Sequence, residues 1–402
     1  MSIVEIKKSA LHGTVTMPPS KSAAHRALIC SFLAGGGDVS PIIESKDMIA
    51  TVGAINALKN DEKQINCIES GSTLRFMIPV AAALGKSITF VGEGKLPERP
   101  IGDYLRLLPE HNVECRSKGG LPLTICGKLS SGTFEIAGDV SSQYITGLLL
   151  ALPILDGDSE IVLTTELQSK PYVDMTVKVM ADFGVVVEET EHGYYIKGSQ
   201  RYKKRDYIVE GDWSQAAFFL VGGILFGDVE LRGLDLNSTQ GDKAVVDILR
   251  RFGGNIEVND GCIIARKSEL IGIEIDATDI PDMVPALAVA GAYARGKTVI
   301  KGAERLRFKE SDRIESVVYN LKQLGADIVS TPDGMIINGG SLHCADLKGY
   351  NDHRIVMSMS VAASGISGIT TIDDAQSISK SYPEFFDDFN SIGGNANVLC
   401  DR

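Results

Sequence analysis

The stretch GDWSQAAFFLVGGILFG, residues 211–227, constrains the fold more than any other part of the chain. It opens with Asp212 and continues as a long run of apolar and small side chains. A helix of this composition has no polar face wide enough to meet water, so other elements must enclose it. The stretch therefore predicts a buried helix that begins next to Asp212.

Five further segments share this pattern of small polar or acidic residues followed by an apolar, Ala- and Gly-rich helix. They are PSKSAAHRALICSFLAGG (19–36), SGSTLRFMIPVAAALG (70–85), VSSQYITGLLLALPI (140–154), IPDMVPALAVAGAYARG (280–296) and YNDHRIVMSMSVAASG (350–365). Alignment of Lys21, Gly71, Ser142, Asp212, Asp282 and Asp352 gives steps of 50, 71, 70, 70 and 70 residues. Such regular spacing indicates six internal repeats, of which the first is incomplete.

A second series of helices, which are amphipathic, alternates with the first. These helices end at Gly184, Gly253, Gly325 and Gly393, and Asn112 is a weaker member of the series. A β-rich run follows each of them. Gly or Asn at this point adopts the left-handed conformation that ends a helix, so each segment predicts a helix, a cap and a strand.

The repeats predict an α/β fold in two domains of three repeats each, with helices inside and sheets outside. The boundary is expected near RYKKRDYIVEGD (201–212), after the third repeat. Because the first repeat is short, the N-terminal strand IVEIKKSALHGTVTM (3–17) is expected to complete the other domain.

Composition excludes several classes of function. The 402 residues are 44% apolar and 23% charged, with neither a membrane-length apolar run nor a signal-peptide block, so we expect a cytoplasmic protein. A net charge of −12 disfavours a nucleic-acid partner. The scattered cysteines lack CxxC spacing, which predicts reduced thiols and no metal site. They are Cys30, Cys67, Cys115, Cys126, Cys262, Cys344 and Cys400.

Cations recur near the helix starts, where the helix dipole disfavours them. They are Lys21, Arg75, Arg99, Lys170, Lys309, Arg313, Arg354 and Lys380. A single Ser or Asp at such a position is more often an ordinary N-cap than a catalyst. Capping does not explain repeated cations, so the pattern predicts small anionic ligands bound by several helix starts together.

Nine motifs, in order from residue 17 to about 386, resemble the 5-enolpyruvylshikimate-3-phosphate synthase family. They are PSKSAAHRAL, ESGSTLR, LPERPIG, GDVSSQYITGLL, SKPYVDMT, DIPDMVPALA, LRFKESDRI, YNDHR and SKSYPEFF. The resemblance implies an inside-out α/β barrel fold of six βαβαββ-type repeats. It implies one domain of residues 1–19 plus 211–402, an inserted domain of residues 20–210, and an active site in the cleft between them.

The same resemblance implies an activity of the shikimate pathway to aromatic amino acids. The enolpyruvyl group of phosphoenolpyruvate is transferred to the 5-hydroxyl of shikimate 3-phosphate, and phosphate is released. Members need no cofactor and are usually monomers. Gly71 leaves room beside the phosphoenolpyruvate site, where glyphosate could compete, and the sequence leaves the sensitivity to glyphosate open.

The resemblance also implies which residues form the site, through the positions that match the family's motifs. Shikimate 3-phosphate is implied to meet Lys21, Ser22, Arg26, Ser141, Ser142, Gln143, Ser169, Tyr172, Asp282 and Lys309. Within this set, the resemblance implies that Ser141, Ser142 and Ser169 hold the phosphate group. Phosphoenolpyruvate is implied to meet Lys21, Gly71, Arg99, Gln143, Arg313, Arg354 and Lys380. Arg305 stands where some members place an asparagine that contacts the sugar-like ring.

The reaction needs one proton delivered to the methylene carbon and another removed from the hydroxyl. Asp282 and Glu310 come from different repeats and can divide these roles. We interpret Asp282 as the base on the 5-hydroxyl and Glu310 as the acid, then the base, at the methylene carbon. Lys21 would assist either transfer and stabilise the departing phosphate.

Two other functions share parts of the pattern. A UDP-N-acetylglucosamine enolpyruvyl transferase has the same repeat, but a GAKN-like start would replace PSKS and a reactive cysteine would lie in a mobile loop. Cys115 lacks that context. A DNA sliding clamp is also acidic and six-fold repeated, but its Lys and Arg residues would spread along helix faces.

Overall fold

The computed structural model describes residues 2–399, which form two compact units. Unit 1 contains the described residues through Pro18 and those from Glu210 onward, and unit 2 spans Pro19–Val209. Cys400 and the terminal residues 1, 401 and 402 of the expected domain lie outside the described residues.

The helices follow the two predicted series. Among residues 2–399, the α-helices are α1 (Lys21–Leu33), α2 (Lys46–Lys59), α3 (Gly71–Ala83), α4 (Gly102–Glu110), α5 (Ser142–Ala151), α6 (Lys170–Asp182), α7 (Trp213–Phe226), α8 (Val245–Arg251), α9 (Val284–Tyr293), α10 (Arg313–Gln323), α11 (His353–Ala363) and α12 (Phe385–Ser391). Odd-numbered helices are the apolar series and even-numbered helices the amphipathic one. Short 3₁₀ turns at Pro281–Met283, Glu304–Phe308 and Ala375–Lys380 precede α9, α10 and α12.

The strands within the described residues are short. They are β1 (Ile3–Lys7), β2 (Leu11–Thr16), β3 (Val39–Ser40), β4 (Gln64–Asn66), β5 (Ile88–Val91), β6 (Val113–Arg116), β7 (Leu123–Gly127), β8 (Thr133–Ile136), β9 (Ser159–Leu163), β10 (Glu188–Thr190), β11 (Gly193–Ile196), β12 (Tyr207–Ile208), β13 (Gly227–Arg232), β14 (Asn255–Asn259), β15 (Cys262–Arg266), β16 (Glu274–Asp276), β17 (Lys297–Lys301), β18 (Asp327–Thr331), β19 (Gly334–Asn338), β20 (Asp346–Leu347), β21 (Ile369–Ile372) and β22 (Ala396–Leu399).

Four-stranded sheets repeat one topology, in which a parallel pair is extended by two antiparallel strands. Three sheets are built from consecutive segments, with the orders β4-β5-β7-β6, β10-β11-β9-β8 and β16-β17-β19-β18. The other two belong to unit 1 and each borrow an N-terminal strand. β2 pairs in parallel with β13, and β1 lies antiparallel between β21 and β22. The first repeat has only the β3–β12 pair, which accounts for its short spacing.

The apolar helices form the cores of the units. Every residue of α11 is buried, as is every residue of α7 except Phe226. The strands alternate buried and exposed residues, as in β13, so each sheet covers helices with one face. The predicted α/β class with enclosed helices is confirmed. Strand pairing in the described chain leaves six separate sheets and does not close a continuous barrel.

Helix ends of the amphipathic series also match their prediction. Gly184, Gly253, Gly325 and Gly393 have φ values of 80°, 95°, 96° and 94°, and Asn112 has a φ of 65°. These are left-handed values, which glycine adopts readily and asparagine tolerates.

Among the described helices, none has the length and apolar character needed to cross a membrane.

Candidate active site

Lys21 begins α1 and is held by a carboxylate from the next helix. Its Nζ lies 2.6 Å from Asp47 Oδ2, and the two side chains are only 16% and 14% exposed. Ser20 caps α1 by accepting from the Ala23 amide. Asp47 offsets the unfavourable placement of a cation at a helix start, and it also fixes the ammonium group at the starts of α1 and α2.

Arg26, five residues further along α1, is almost fully buried and ties α1 to α6. It donates to Thr176 Oγ1 at 2.7 Å, to the Tyr172 carbonyl at 2.9 Å and to the Ser22 carbonyl at 2.7 Å. Burial lowers the pKa of Arg26 to about 10. A bond from Arg26 to a substrate carboxylate must therefore compete with these internal bonds, which also order Ser22 and Tyr172.

Gln143 is the one residue of α5 that is not buried, and it meets α3. Its side-chain oxygen accepts from Arg75 Nη1 at 2.8 Å, and its nitrogen donates to Ser72 Oγ at 2.9 Å. A Cβ atom built on Gly71 would lie 2.6 Å from Arg99 Nη1 and 3.0 Å from Arg75 Nη1. Gly71, Arg99 and Gln143 are thus brought together, along with Arg75, which the predicted ligand set omits.

The predicted phosphate-binding serines lie at the starts of α5 and α6, which pack against each other. Ser141 caps α5 by accepting from the Gln143 amide, and Ser142 is buried in its first turn. Ser169 precedes α6 with a φ of 55° and is 2% exposed. A left-handed, buried serine is a strained feature of the kind that clusters at ligand-binding sites.

Unit 1 contains a dense charge cluster centred on Arg313. This side chain is 2% exposed and donates to three carboxylates. Its Nε lies 2.8 Å from Asp352, its Nη1 2.9 Å from Asp282 and its Nη2 2.6 Å from Glu310. The cluster therefore brings together the two predicted acid–base residues around one buried cation.

Asp282 is in the 3₁₀ turn before α9, and its side chain does not cap that helix. Arg354 Nη2 lies 3.1 Å and Lys309 Nζ 3.7 Å from its carboxylate, in addition to Arg313. Burial raises the pKa of Asp282, but the combined attraction of these three cations outweighs it and holds the pKa well below its ordinary value. In this state Asp282 is ionised and a weak proton acceptor.

Asp352 is a site residue that sequence reasoning left out of the ligand and catalytic set. It is fully buried, caps α11 by accepting from the Arg354 amide at 3.0 Å and accepts from Ser311 Oγ at 3.0 Å. It also anchors Arg313. The repeat alignment marked this position, but an aspartate at a helix start does not distinguish a cap from an anchor.

Two further predicted cations, Lys380 and Lys170, and the departure at Arg305 have different surroundings. Lys380 Nζ donates to the Asn351 carbonyl at 2.6 Å, close to the start of α11. Arg305 donates to the Thr278 carbonyl at 2.7 Å. Lys170 forms surface ion pairs with Asp174 and Glu189. Its place at a helix start is thus explained by carboxylates and does not require a ligand.

Within residues 2–399, no group of three or more His, Cys, Asp and Glu side chains is arranged to hold a metal ion. The structure places cations near the starts of several helices. These helices are α1, α3 and α4 in unit 2, and α10 and α11 in unit 1. Positive charge combined with helix N-termini suits small phosphorylated or carboxylated ligands.

A family model described as EPSP synthase (3-phosphoshikimate 1-carboxyvinyltransferase) matches residues 6–68 and 41–389 of this chain. The chain belongs to the EPSP synthase family. It is 42% identical over 426 residues to a 3-phosphoshikimate 1-carboxyvinyltransferase of Clostridium novyi, with 98% of each chain covered. It is also 42% identical over 417 residues to one of Clostridium kluyveri, again with 98% of each covered.

The fold agrees with this family. A solved EPSP synthase from Acinetobacter baumannii superimposes with a TM-score of 0.83 at 26% identity, covering 100% of both chains. The resemblance found in the nine motifs is thus confirmed at the level of the family and the fold.

Proposed function

We infer that the chain is a transferase that moves the enolpyruvyl group of phosphoenolpyruvate to the 5-hydroxyl of shikimate 3-phosphate and releases phosphate. Membership of the EPSP synthase family carries this inference. The chemistry of the helix starts supports it, because both substrates are small anions and cations are held there in both units.

We propose that both units contribute to substrate binding, as the domains of residues 20–210 and of 1–19 plus 211–402. Unit 2 supplies Ser141, Ser142, Ser169, Tyr172, Ser22 and Arg26 for shikimate 3-phosphate, Gly71 and Arg99 for phosphoenolpyruvate, and Lys21 and Gln143 for both substrates. Unit 1 supplies Asp282, Lys309, Arg313, Arg354 and Lys380. Arginine suits the carboxylate and phosphate groups because it can donate two parallel hydrogen bonds.

The acid–base steps are proposed to depend on the substrates themselves. In the absence of ligand, Arg354, Lys309 and Arg313 depress the pKa of Asp282. Bound anions attract the same cations, which raises that pKa and makes Asp282 a better base toward the 5-hydroxyl. Glu310 then delivers a proton to the methylene carbon, and it removes one from the resulting methyl group as phosphate leaves. Lys21 neutralises the departing phosphate.

Neither alternative function is favoured. The reactive cysteine of a UDP-N-acetylglucosamine enolpyruvyl transferase would need an accessible thiolate. Burial, together with the neighbouring Glu114, raises the pKa of Cys115 to about 11, which disfavours its thiolate. The family match disfavours a DNA sliding clamp. We also propose a cytoplasmic monomer without a nucleic-acid partner, which gel filtration and a duplex-DNA gel shift would test.

The proposal is tested by phosphate release from purified protein. Release is expected with phosphoenolpyruvate and shikimate 3-phosphate together. Neither substrate alone, nor phosphoenolpyruvate with UDP-N-acetylglucosamine, is expected to give release above background. A folded protein that releases no phosphate with the expected pair would overturn the proposal.

A further inference from the structure

A buried chain of hydrogen bonds joins α1, α2 and α3 in unit 2. His25 Nδ1 lies 2.7 Å from Thr51 Oγ1, which lies 2.7 Å from Thr73 Oγ1. Thr73 Oγ1 donates in turn to Ser70 Oγ at 2.8 Å. None of the four residues is more than 1% exposed. Polar groups buried this deeply are costly unless they are paired, so the hydrogen bonds constrain where the three helices lie.

The donor and the acceptor of each hydrogen bond in this series follow from counting hydrogens, because each threonine hydroxyl has only one hydrogen to donate. Thr73 donates to Ser70, so Thr51 must donate to Thr73. The Thr51 oxygen must then accept from His25, which places the imidazole hydrogen on Nδ1. Burial, reinforced by two nearby cations, keeps the pKa of His25 well below its ordinary value of 6.5, so the ring is neutral.

The hydrogen-bond chain lies beneath residues assigned to phosphoenolpyruvate. His25 follows Lys21 by one turn of α1, and Thr51 follows Asp47 by one turn of α2. Residues four apart share a helix face, so the His25–Thr51 bond joins the two helices one turn below the Lys21–Asp47 ion pair.

The other end of the chain fixes the start of α3. Ser70 caps this helix by accepting from the Thr73 amide at 3.1 Å, and Gly71 is its first residue. The chain therefore sets the relative position of three helix starts, two of which carry residues proposed to bind phosphoenolpyruvate.

We propose that His25 is a positioning residue for enolpyruvyl transfer, which acts through Thr51, Thr73 and Ser70 to place Lys21 and the Gly71 end of α3 for phosphoenolpyruvate. This inference rests on the proposed function. The serines assigned to the phosphate of shikimate 3-phosphate lie at α5 and α6, which contain no member of the chain. Lys21, Ser22 and Arg26 of α1 are also assigned to shikimate 3-phosphate, but Arg26 keeps its own bonds to Thr176 and to the Tyr172 carbonyl of α6 when the hydrogen-bond chain is lost. Loss of the hydrogen-bond chain should therefore raise KM for phosphoenolpyruvate by much more than it weakens the binding of shikimate 3-phosphate.

A matched pair of substitutions at Thr51 tests the proposal. Thr51→Val keeps the shape of the side chain and removes its hydroxyl, whereas Thr51→Ser keeps the hydroxyl. We expect Thr51→Val to raise KM for phosphoenolpyruvate roughly tenfold, because the helix starts shift relative to one another. Thr51→Ser should stay within about twofold of wild type. Calorimetric affinity for shikimate 3-phosphate should change by less than about threefold in both.

A second pair at His25 decides the question if Thr51→Val does not fold. Asparagine can present an N–H donor near the position of Nδ1, whereas leucine cannot. His25→Asn should retain a nearly normal KM for phosphoenolpyruvate, and His25→Leu should show the increase. Thermal unfolding of each variant separates a change in stability from a change in KM.

Several results would overturn the positioning role while leaving the proposed function intact. Provided that the wild-type protein is active, three results would do so. The first is that KM for phosphoenolpyruvate is the same for Thr51→Val as for Thr51→Ser, and the same for His25→Leu as for His25→Asn. The second is that binding of both substrates weakens equally, and the third is that a variant loses stability without a change in KM. An inactive but folded wild type would instead overturn the proposed function, and this inference with it.

Discussion

Replacement of Gly71 by alanine tests the proposed phosphoenolpyruvate site at one atom. The new Cβ would lie 2.6 Å from Arg99 Nη1, 2.9 Å from Arg99 Cζ and 3.0 Å from Arg75 Nη1. An ordinary contact begins at 3.4 Å, so the Arg99 guanidinium must retreat by about 0.8 Å. The nearest atoms are the far ends of long side chains, so the backbone of α3 can stay in place.

The expected result is a selective loss of phosphoenolpyruvate affinity. A misplacement approaching 1 Å in a positioned group can cost up to about 100-fold, so we expect KM for phosphoenolpyruvate to rise roughly 10- to 100-fold. Steady-state phosphate release would measure this change. Calorimetric binding of shikimate 3-phosphate should stay within about threefold, because neither Gly71 nor Arg99 is among the residues assigned to it.

Gly53→Ala provides the matched control. Gly53 lies within α2, and a Cβ built on it would meet nothing within 4 Å. Alanine there should raise the free energy of unfolding by about 0.5–1 kcal/mol and leave KM unchanged. A folded Gly71→Ala variant with normal KM for phosphoenolpyruvate, or with both substrates weakened equally, would refute the assignment of Gly71 and Arg99.

The remaining predictions concern charge and protonation. Asp282→Asn and Glu310→Gln should each lower kcat by about 10²- to 10⁴-fold while calorimetry still detects shikimate 3-phosphate binding; loss of that binding would make them structural residues. Asp352→Asn should lower the free energy of unfolding in urea by about 1–3 kcal/mol, because Arg313 loses one of its three carboxylates, and an unchanged midpoint would contradict its anchoring role. His25 has a lowered pKa in the folded state, so the unfolded chain binds its proton first as pH falls below 6.5 and stability is lost there. Below about pH 6, wild type should lose stability more steeply than His25→Asn, by up to about 1.4 kcal/mol per pH unit, and parallel profiles would contradict a buried neutral ring.

Much of the fold could be predicted because its determinants are local. The all-apolar run of α7 demands burial wherever it lies, and a glycine such as Gly253 ends a helix through its own backbone freedom. Repetition strengthened both signals. The pairing of β1 and β2 with strands of unit 1 has a weaker signal in the sequence, because only the short spacing of the first repeat indicates it.

The site was less predictable because its contacts are not local. Arg26 reads as an exposed cation near a helix start, but its partners Tyr172 and Thr176 come from α6, far along the chain. The role of Asp352 likewise depends on Arg313, which lies 39 residues earlier in sequence. A helix-start aspartate or arginine has the same local pattern whether it caps, anchors or binds, and only packing separates these roles.

The central claim is enolpyruvyl transfer, in which the bond between carbon and the bridging oxygen of phosphoenolpyruvate breaks. Phosphoenolpyruvate labelled with oxygen-18 at this bridging position tests it most directly. In the presence of shikimate 3-phosphate, the label should leave with the released phosphate, and the sugar-like product should carry an enolpyruvyl group on its 5-oxygen. Label that stays in pyruvate, with unchanged shikimate 3-phosphate, would show cleavage of the phosphorus–oxygen bond and contradict the account.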